Sequence, residues 1–305
     1  MKDPNFYMLA KTMHGLENVL ANELKNLGAQ SVKIQKRAVS FKGDNGFMYK
    51  ANLNLRTCLR ILKPIHTFQA HNEKELYNNI LKIDWTKFLD VNNTFATHAT
   101  TNSEVFNHSK YASLLVKDGI ADFFRNKFDK RPNVDPSDPD ITINLHINKH
   151  TCTISLDSSG ESLHKRGYKL DTIIAPMNEV LAAGLILLSG WNKLDDFHDP
   201  MCGSGTILIE AAMIAYNIPP NIFRKKFGFE NWKDFDEDLF EKIKDVSLNK
   251  EIDFKGKITG SDNFQKAVRI SRKNIENALM LEHIKVKNED FFETEITDNT
   301  FVILN

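Results

Sequence analysis

At 305 residues with 41% hydrophobic side chains, the chain has enough apolar material for two or three cores. No run approaches the ~18 apolar residues that a membrane span needs, and the first residues lack the apolar stretch of a secretory leader. Forty basic residues balance forty acidic ones, which counts against a protein that coats nucleic acid indiscriminately but leaves room for a local basic face. Three scattered cysteines, Cys58, Cys152 and Cys202, form no metal spacing and suit a reducing, cytoplasmic setting.

The chain opens with a strand at 6–10. A helix follows at 16–27, where Leu16, Val19, Leu20, Leu24 and Leu27 recur at helical spacing and Gly28 marks the stop. Alternation around a basic stretch, 33–42, reads as a hairpin. A helix near 47–55 and a strand near 61–68 complete a small α+β module with helices on one face of an antiparallel sheet. A second set comprises a helix at 73–81, a strand at 94–100, a long helix at 111–128, a loop at 133–139, and strands at 141–147 and 151–156. Ser158-Ser159-Gly160 is the expected boundary. Beyond it helices alternate with short strands: a helix at 179–189, a strand into Asp199, a helix at 206–216, strands at 257–260, 284–287 and 301–304, and a helix at 264–279. That alternation implies a parallel sheet with crossover helices.

Asp199-Pro200-Met201-Cys202-Gly203-Ser204-Gly205-Thr206 lies between a strand and a helix. Its glycines let the backbone turn tightly and approach a ligand. A plain strand-to-helix turn is the simpler alternative. A dinucleotide fingerprint needs a small residue where Leu208 stands, and a phosphate loop needs a lysine after its last glycine. An acid ahead of the glycines would also repel phosphates. A cationic nucleoside without phosphates fits, and S-adenosylmethionine is one. Asp262, after the next strand, could accept from ribose hydroxyls or merely cap a helix. Asp290, after the third, could accept from an adenine amine with Phe291 beside the ring, or be an ordinary loop acid.

Asp199 to Thr206 resembles motif I of class I methyltransferases, in the form found in THUMP-domain RNA methylases. Leu163-His164-Lys165-Arg166-Gly167-Tyr168-Lys169, Ala175-Pro176 and Asn178-Glu179 resemble that family's linker, and Ala51-Asn52-Leu53-Asn54-Leu55-Arg56-Thr57 its front segment. The likeness runs along essentially the whole chain and is strongest to the branch containing bacterial 23S rRNA guanine-N2 methyltransferases.

The resemblance implies an α/β protein with a ferredoxin-like domain at 1–55, a THUMP RNA-binding domain at 56–157 and the front of a Rossmann-like methyltransferase domain at 158–305. It implies S-adenosylmethionine as cofactor, held by Asp199, Pro200, Cys202, Gly203, Gly205 and Thr206 at the methionine end, with Asp262 on the ribose and Asp290 and Phe291 at the adenine. No metal is expected. The segment 217–254, with Pro219-Pro220 and an acidic helix, reads as an insertion usual in this branch. Candidate contacts to a structured RNA are Lys110, Lys117, Arg125, Lys127, Lys130 and Arg131 around the long helix, for which a solvated face is the plainer alternative. Lys165, Arg166 and Tyr168 are expected either to touch RNA or to shape the cofactor pocket. Neither DNA nor a membrane is expected as a partner.

Strand 301–304 resembles the one leading into an Asn-Pro-Pro-Tyr motif, of which Asn305 would be the first, catalytic residue. A delocalised exocyclic amine needs acceptors to aim and activate it, which such a motif supplies. We expect the chain ending there to turn over little by itself. The activity implied is methyl transfer to guanine N2 in 23S rRNA. A tRNA guanine-N2 methyltransferase, a DNA amino-methyltransferase and a non-catalytic RNA-binding scaffold are the rivals.

Overall fold

The structure is a computed structural model and describes residues 4–172 and 176–304. Its contacts divide the chain into two compact units that do not follow chain order.

The first unit comprises Met1–Ala10, Arg60–Glu161 and Lys226–Glu237. Its strands are β1 (Phe6–Lys11), β4 (Arg60–Gln69), β5 (Thr94–Asn102), β6 (Asn133–Val134), β7 (Ile141–Asn148) and β8 (Thr151–Asp157). They pair in the order β1-β4-β8-β7-β5-β6. β8 is antiparallel to both β4 and β7, whereas β5 runs parallel to β7, so the chain must cross over between those two. The crossover is α4 (Ser109–Phe128). It packs on α3 (Glu73–Leu81) at Gly119, where a Cβ would lie 2.7 Å from Ile80 Cγ2. α3 starts where Asn72 accepts from the Glu75 amide, and buried Trp85 donates to Ile80 O at 2.9 Å. The expected loop at 133–139 begins as β6, two residues paired with Thr94 and Phe95. Two residues carry no alternation to read. The segment 226–237 belongs here because Phe229 N–H donates to Ser158 O, and Gly228 lies against Gly160.

The second unit comprises Lys11–Leu59, Ser162–Lys225 and Asp238–Asn305. Its front segment holds α1 (Glu17–Leu27), the antiparallel hairpin of β2 (Gln30–Gln35) and β3 (Ala38–Gly43), and α2 (Asn45–Asn54). α1 buries Leu20, Ala21 and Leu24 and ends at Gly28 with φ 101°, as its spacing predicts. The remainder holds α5 (Glu179–Leu188), β9 (Asp196–Asp199), α6 (Thr206–Ala215), α7 (Glu237–Leu248), β10 (Ile258–Asp262), α8 (Gln265–Asn277), β11 (Ile284–Asn288) and β12 (Thr300–Val302). The sheet order is β11-β10-β9-β12, all parallel, as the helix–strand alternation implies. Every residue of α6 is buried, which is what an all-round apolar helix requires. Phe197, Leu208, Val268, Ile275, Ile284 and Val286 fill the core between sheet and helices. Among the described residues no helix is long and apolar enough to cross a membrane.

Candidate cofactor site

Parallel register sets the site. Asp199 ends β9 opposite Gly260, and Asp262 ends β10 opposite Asn288 of β11, with Asp290 two residues further on. Three acids therefore stand at the carboxyl ends of three adjacent strands, where open α/β sheets bind ligands.

The turn from β9 to α6 is tied down from both sides. Cys202 N–H donates to Ser261 O at 2.9 Å, Gly205 N–H to Cys202 O at 2.8 Å, and Gly203 N–H to Asp262 Oδ2 at 2.9 Å. Gly203 and Gly205 take φ of 53° and 80°, the left-handed region that favours glycine. A Cβ at Gly205 would also meet Ser271 Oγ at 2.5 Å, because α8 runs close beneath the loop. Thr206 is the first residue of α6 and is buried.

Asp199 is 1% exposed and accepts from the Met201 amide at 3.2 Å. Burial, and secondarily the charge of Asp262, push its carboxyl up to about 7, against the lowering effect of that amide. A carboxyl so placed gains most from a cation, which supplies the missing counter-charge. That is the fit expected for the ammonium end of S-adenosylmethionine. Burial, then the charges of Asp199 and Asp262, push the Cys202 thiol up to about 12, so it sits in the turn as a neutral group. Asp262 Oδ1 also accepts from the Phe264 amide at 2.9 Å, an Asx turn ahead of α8, whose N-cap is Phe264 and not Asp262. Asp290 accepts from the Phe292 amide at 3.0 Å, and Phe291 is partly exposed beside it. Asn305 and Ala175 lie outside the described residues.

Of the two roles expected of Arg166 and Tyr168, contact with RNA does not fit their burial. Both are fully buried and present no surface to an RNA. Arg166 Nε meets Glu210 Oε1 at 3.3 Å, and its Nη1 donates to Leu163 O and to Asn221 Oδ1. Its Nη2 donates to Arg56 O, and Tyr168 Oη donates to Glu210 Oε1 at 3.0 Å. Arg56 in turn donates through Nη2 to Met213 O in the last turn of α6 and to Ile218 O just past it. The front segment 51–57 thus works as a bracket on α6, with Asn221 Nδ2 donating to Asn52 O at 2.8 Å. Lys165 is exposed. On α4, Lys117 pairs with Asp118, Arg125 with Asp122 and Lys127 with Asp84, while Lys110, Lys130 and Arg131 are exposed.

One positioning residue was not anticipated. Asn274 Nδ2 donates to Ser204 O at 3.0 Å and to Asp171 O at 3.1 Å, and its Oδ1 accepts from Leu170 N–H. It pins the glycine loop to the linker. Its signal in the sequence is a buried amide, three residues after Ser271, in the otherwise apolar stripe Ala267, Val268, Ile270 and Ile275. In the linker, Asn178 caps α5 by accepting from Val180 N–H, and Lys169 pairs with Glu179 at 3.0 Å.

Comparison with known proteins gives the same picture. An RlmL ferredoxin-like domain matches residues 7–62, a THUMP domain 70–157 and an RMKL-like methyltransferase domain 166–305. A protein of Synechocystis sp. named "putative RNA methyltransferase" is 37% identical over 287 residues, covering 94% of this chain and 75% of the relative. The crystal structure of SMU.472, described as "a putative methyltransferase complexed with SAH", is 30% identical with a TM-score of 0.87, covering 99% of this chain and 80% of that one. A Listeria monocytogenes structure described as "a predicted N6-adenine-specific DNA methylase" is 27% identical with a TM-score of 0.87, covering 98% and 78%. The acids at the strand ends, the glycine loop and these matches lead to one conclusion: the chain belongs to the THUMP-domain, RMKL-like family of S-adenosylmethionine-dependent RNA methyltransferases.

Proposed function

We propose that this protein methylates the exocyclic N2 of a guanine in 23S rRNA, in the cytoplasm, with the chain read in order as ferredoxin-like (1–55), THUMP (56–157) and methyltransferase (158–305) parts. The observation that carries the cofactor assignment is Asp199, a buried carboxyl with no counter-charge among the described residues, at the mouth of a glycine turn.

In this reading Asp199 takes the ammonium of the cofactor, while Pro200, Cys202, Gly203, Gly205 and Thr206 shape the wall around its methionine end. Asp262 accepts from the ribose hydroxyls, which compete with Gly203 N–H for the same carboxylate. Asp290 and Phe291 face the adenine. When bound, S-adenosylmethionine supplies a methyl group on an electrophilic sulfonium. Asn305 is assigned to accept a hydrogen of the guanine amine, which orients the nitrogen lone pair and offsets the charge that develops on it. Lys110 and Lys165, both exposed, are assigned to RNA phosphates together with Lys117, Arg125 and Lys127, each of which lies beside a carboxylate.

The test is genetic and chemical. Deleting the gene for this protein and mapping modified nucleosides in rRNA, tRNA and DNA by mass spectrometry should remove one N2-methylguanosine from 23S rRNA. Loss from tRNA instead would select a tRNA enzyme. Loss of N6-methyladenine from DNA, the activity named for the Listeria structure, would overturn the RNA substrate.

A further inference from the structure

Helix α8 is charged in a way that its own stability does not explain. Its inner stripe is buried, and its outer face carries Lys266, Arg269, Arg272 and Lys273 with Glu276 as the helix's one acid. Lys266–Arg269, Arg269–Arg272 and Arg269–Lys273 are spaced three, three and four residues apart, so like charges meet along one face and destabilise the helix. No acid occupies the first turn, and Lys266 faces the positive end of the helix dipole. Composition does not account for this, since acids and bases are equal in number over the whole chain. Other helices pair their cations, as Arg125 with Asp122 on α4 and Lys244 with Glu241 on α7.

Two of the four cations are engaged. Lys273 pairs with Asp171 at 2.6 Å, and Arg272 Nη2 donates to Val286 O at 2.6 Å on β11. Among the described residues, no carboxylate lies within ion-pair distance of Lys266 or Arg269. On β11, at the edge of the sheet, Lys285 and Lys287 flank Val286 and are exposed. The turn after β11 holds up Phe292, 92% exposed, with its ring 5.3 Å from that of Phe291. α8 itself begins three residues after Asp262, so this face starts at the cofactor site. The α8 cations without a carboxylate partner and the ring left in water after β11 supply the two things a single nucleic-acid strand requires: charge for its phosphates and a flat surface for a base.

We infer that the outer face of α8, with Lys285, Lys287 and Phe292, is a docking surface for a strand of the substrate RNA. This rests on the reading of the protein as an RNA methyltransferase. Phosphodiesters lie along Lys266 and Arg269, and an unpaired base stacks on Phe292. The like-charge strain of α8 is relieved when the polyanion arrives.

The experiment is fluorescence anisotropy of the full chain with a labelled RNA hairpin bearing a single-stranded flank, over a salt series. Lys266→Gln/Arg269→Gln should weaken binding about tenfold at about 0.1 M salt and flatten the log–log salt slope by about 1.4, near 0.7 for each phosphate no longer neutralised. Its thermal midpoint should hold or rise, because repulsion is removed. A merely structural role for these cations predicts a fall in the midpoint and no change in slope. Phe292→Ala should weaken binding with the slope unchanged. Lys244→Gln/Lys255→Gln, which removes two cations paired with Glu241 and Asp253 and given no part in binding, serves as the paired-cation control. Parent-like affinity and slope in the α8 variant, while the parent binds the hairpin, would overturn the docking surface and leave the enzyme reading intact. A parent that binds no RNA even at low salt would count against the RNA reading itself, and the docking surface would fall with it.

Discussion

Asp199 shows how much one residue's surroundings decide. Its place at a strand end before two glycines is legible in the chain, but its burial is not, because α6, α8 and the neighbouring strands that enclose it are assembled from distant segments. The folded carboxyl keeps its proton up to about 7, whereas the unfolded chain releases it near the ordinary value of 3.8. The folded state therefore binds the extra proton between those limits. Its stabilising effect is complete below about pH 4 and is lost as pH rises through about 7. Asp199→Asn removes this penalty, so urea melts at pH 8 should show the variant more stable by up to ~4 kcal/mol, with the difference vanishing at pH 4. The same variant should lose most of its affinity for S-adenosylmethionine. A parent whose stability is flat over this window would refute the raised carboxyl.

At the level of elements, the helices α1, α3, α4, α5 and α8 and the strands between them are readable from apolar spacing, with Gly28 marking the end of α1 and Asn72 and Asn178 the starts of α3 and α5. What escaped was pairing across long sequence separations. Arg166 and Tyr168 sit in a basic-looking stretch and read as touching RNA or shaping the cofactor pocket, yet their partner is Glu210, 44 residues away from Arg166. The clue is Glu210 itself, the one charge within the wholly buried helix α6. An acid there needs a buried cation, and the bracket 51–57 is held to α6 by the same network. Arg166→Met leaves Glu210 and Arg56 O without that partner. It should cost about 3–5 kcal/mol in chemical denaturation, the usual effect of breaking one side of a buried pair. Little change would mean that Tyr168 and Arg56 suffice to hold Glu210. β6 escaped for a different reason, since two residues show no pattern and exist as a strand through pairing with β5.

Across the whole molecule, the order of modules was legible through the family resemblance carried by 51–57, 163–169 and 199–206, and the parallel sheet followed from helix–strand alternation. The division into compact units was not legible. Residues 11–59 join the methyltransferase unit and 226–237 the THUMP-containing one, through hydrogen bonds such as Asn221 to Asn52 and Phe229 to Ser158 that no local pattern announces. The glycine loop is likewise held by groups from far along the chain, Asp262 and Asn274, so cofactor binding is a property of the assembled unit.

The central claim is that the three strand-end acids with this loop form the S-adenosylmethionine site, and calorimetric titration of the chain with that molecule tests it most directly. The parent should bind at one site, Asp262→Ala should bind at least about tenfold more weakly for want of charged hydrogen bonds to the ribose, and Asp199→Asn should lose most of the heat. Undiminished binding by both variants would place the cofactor elsewhere and contradict the account.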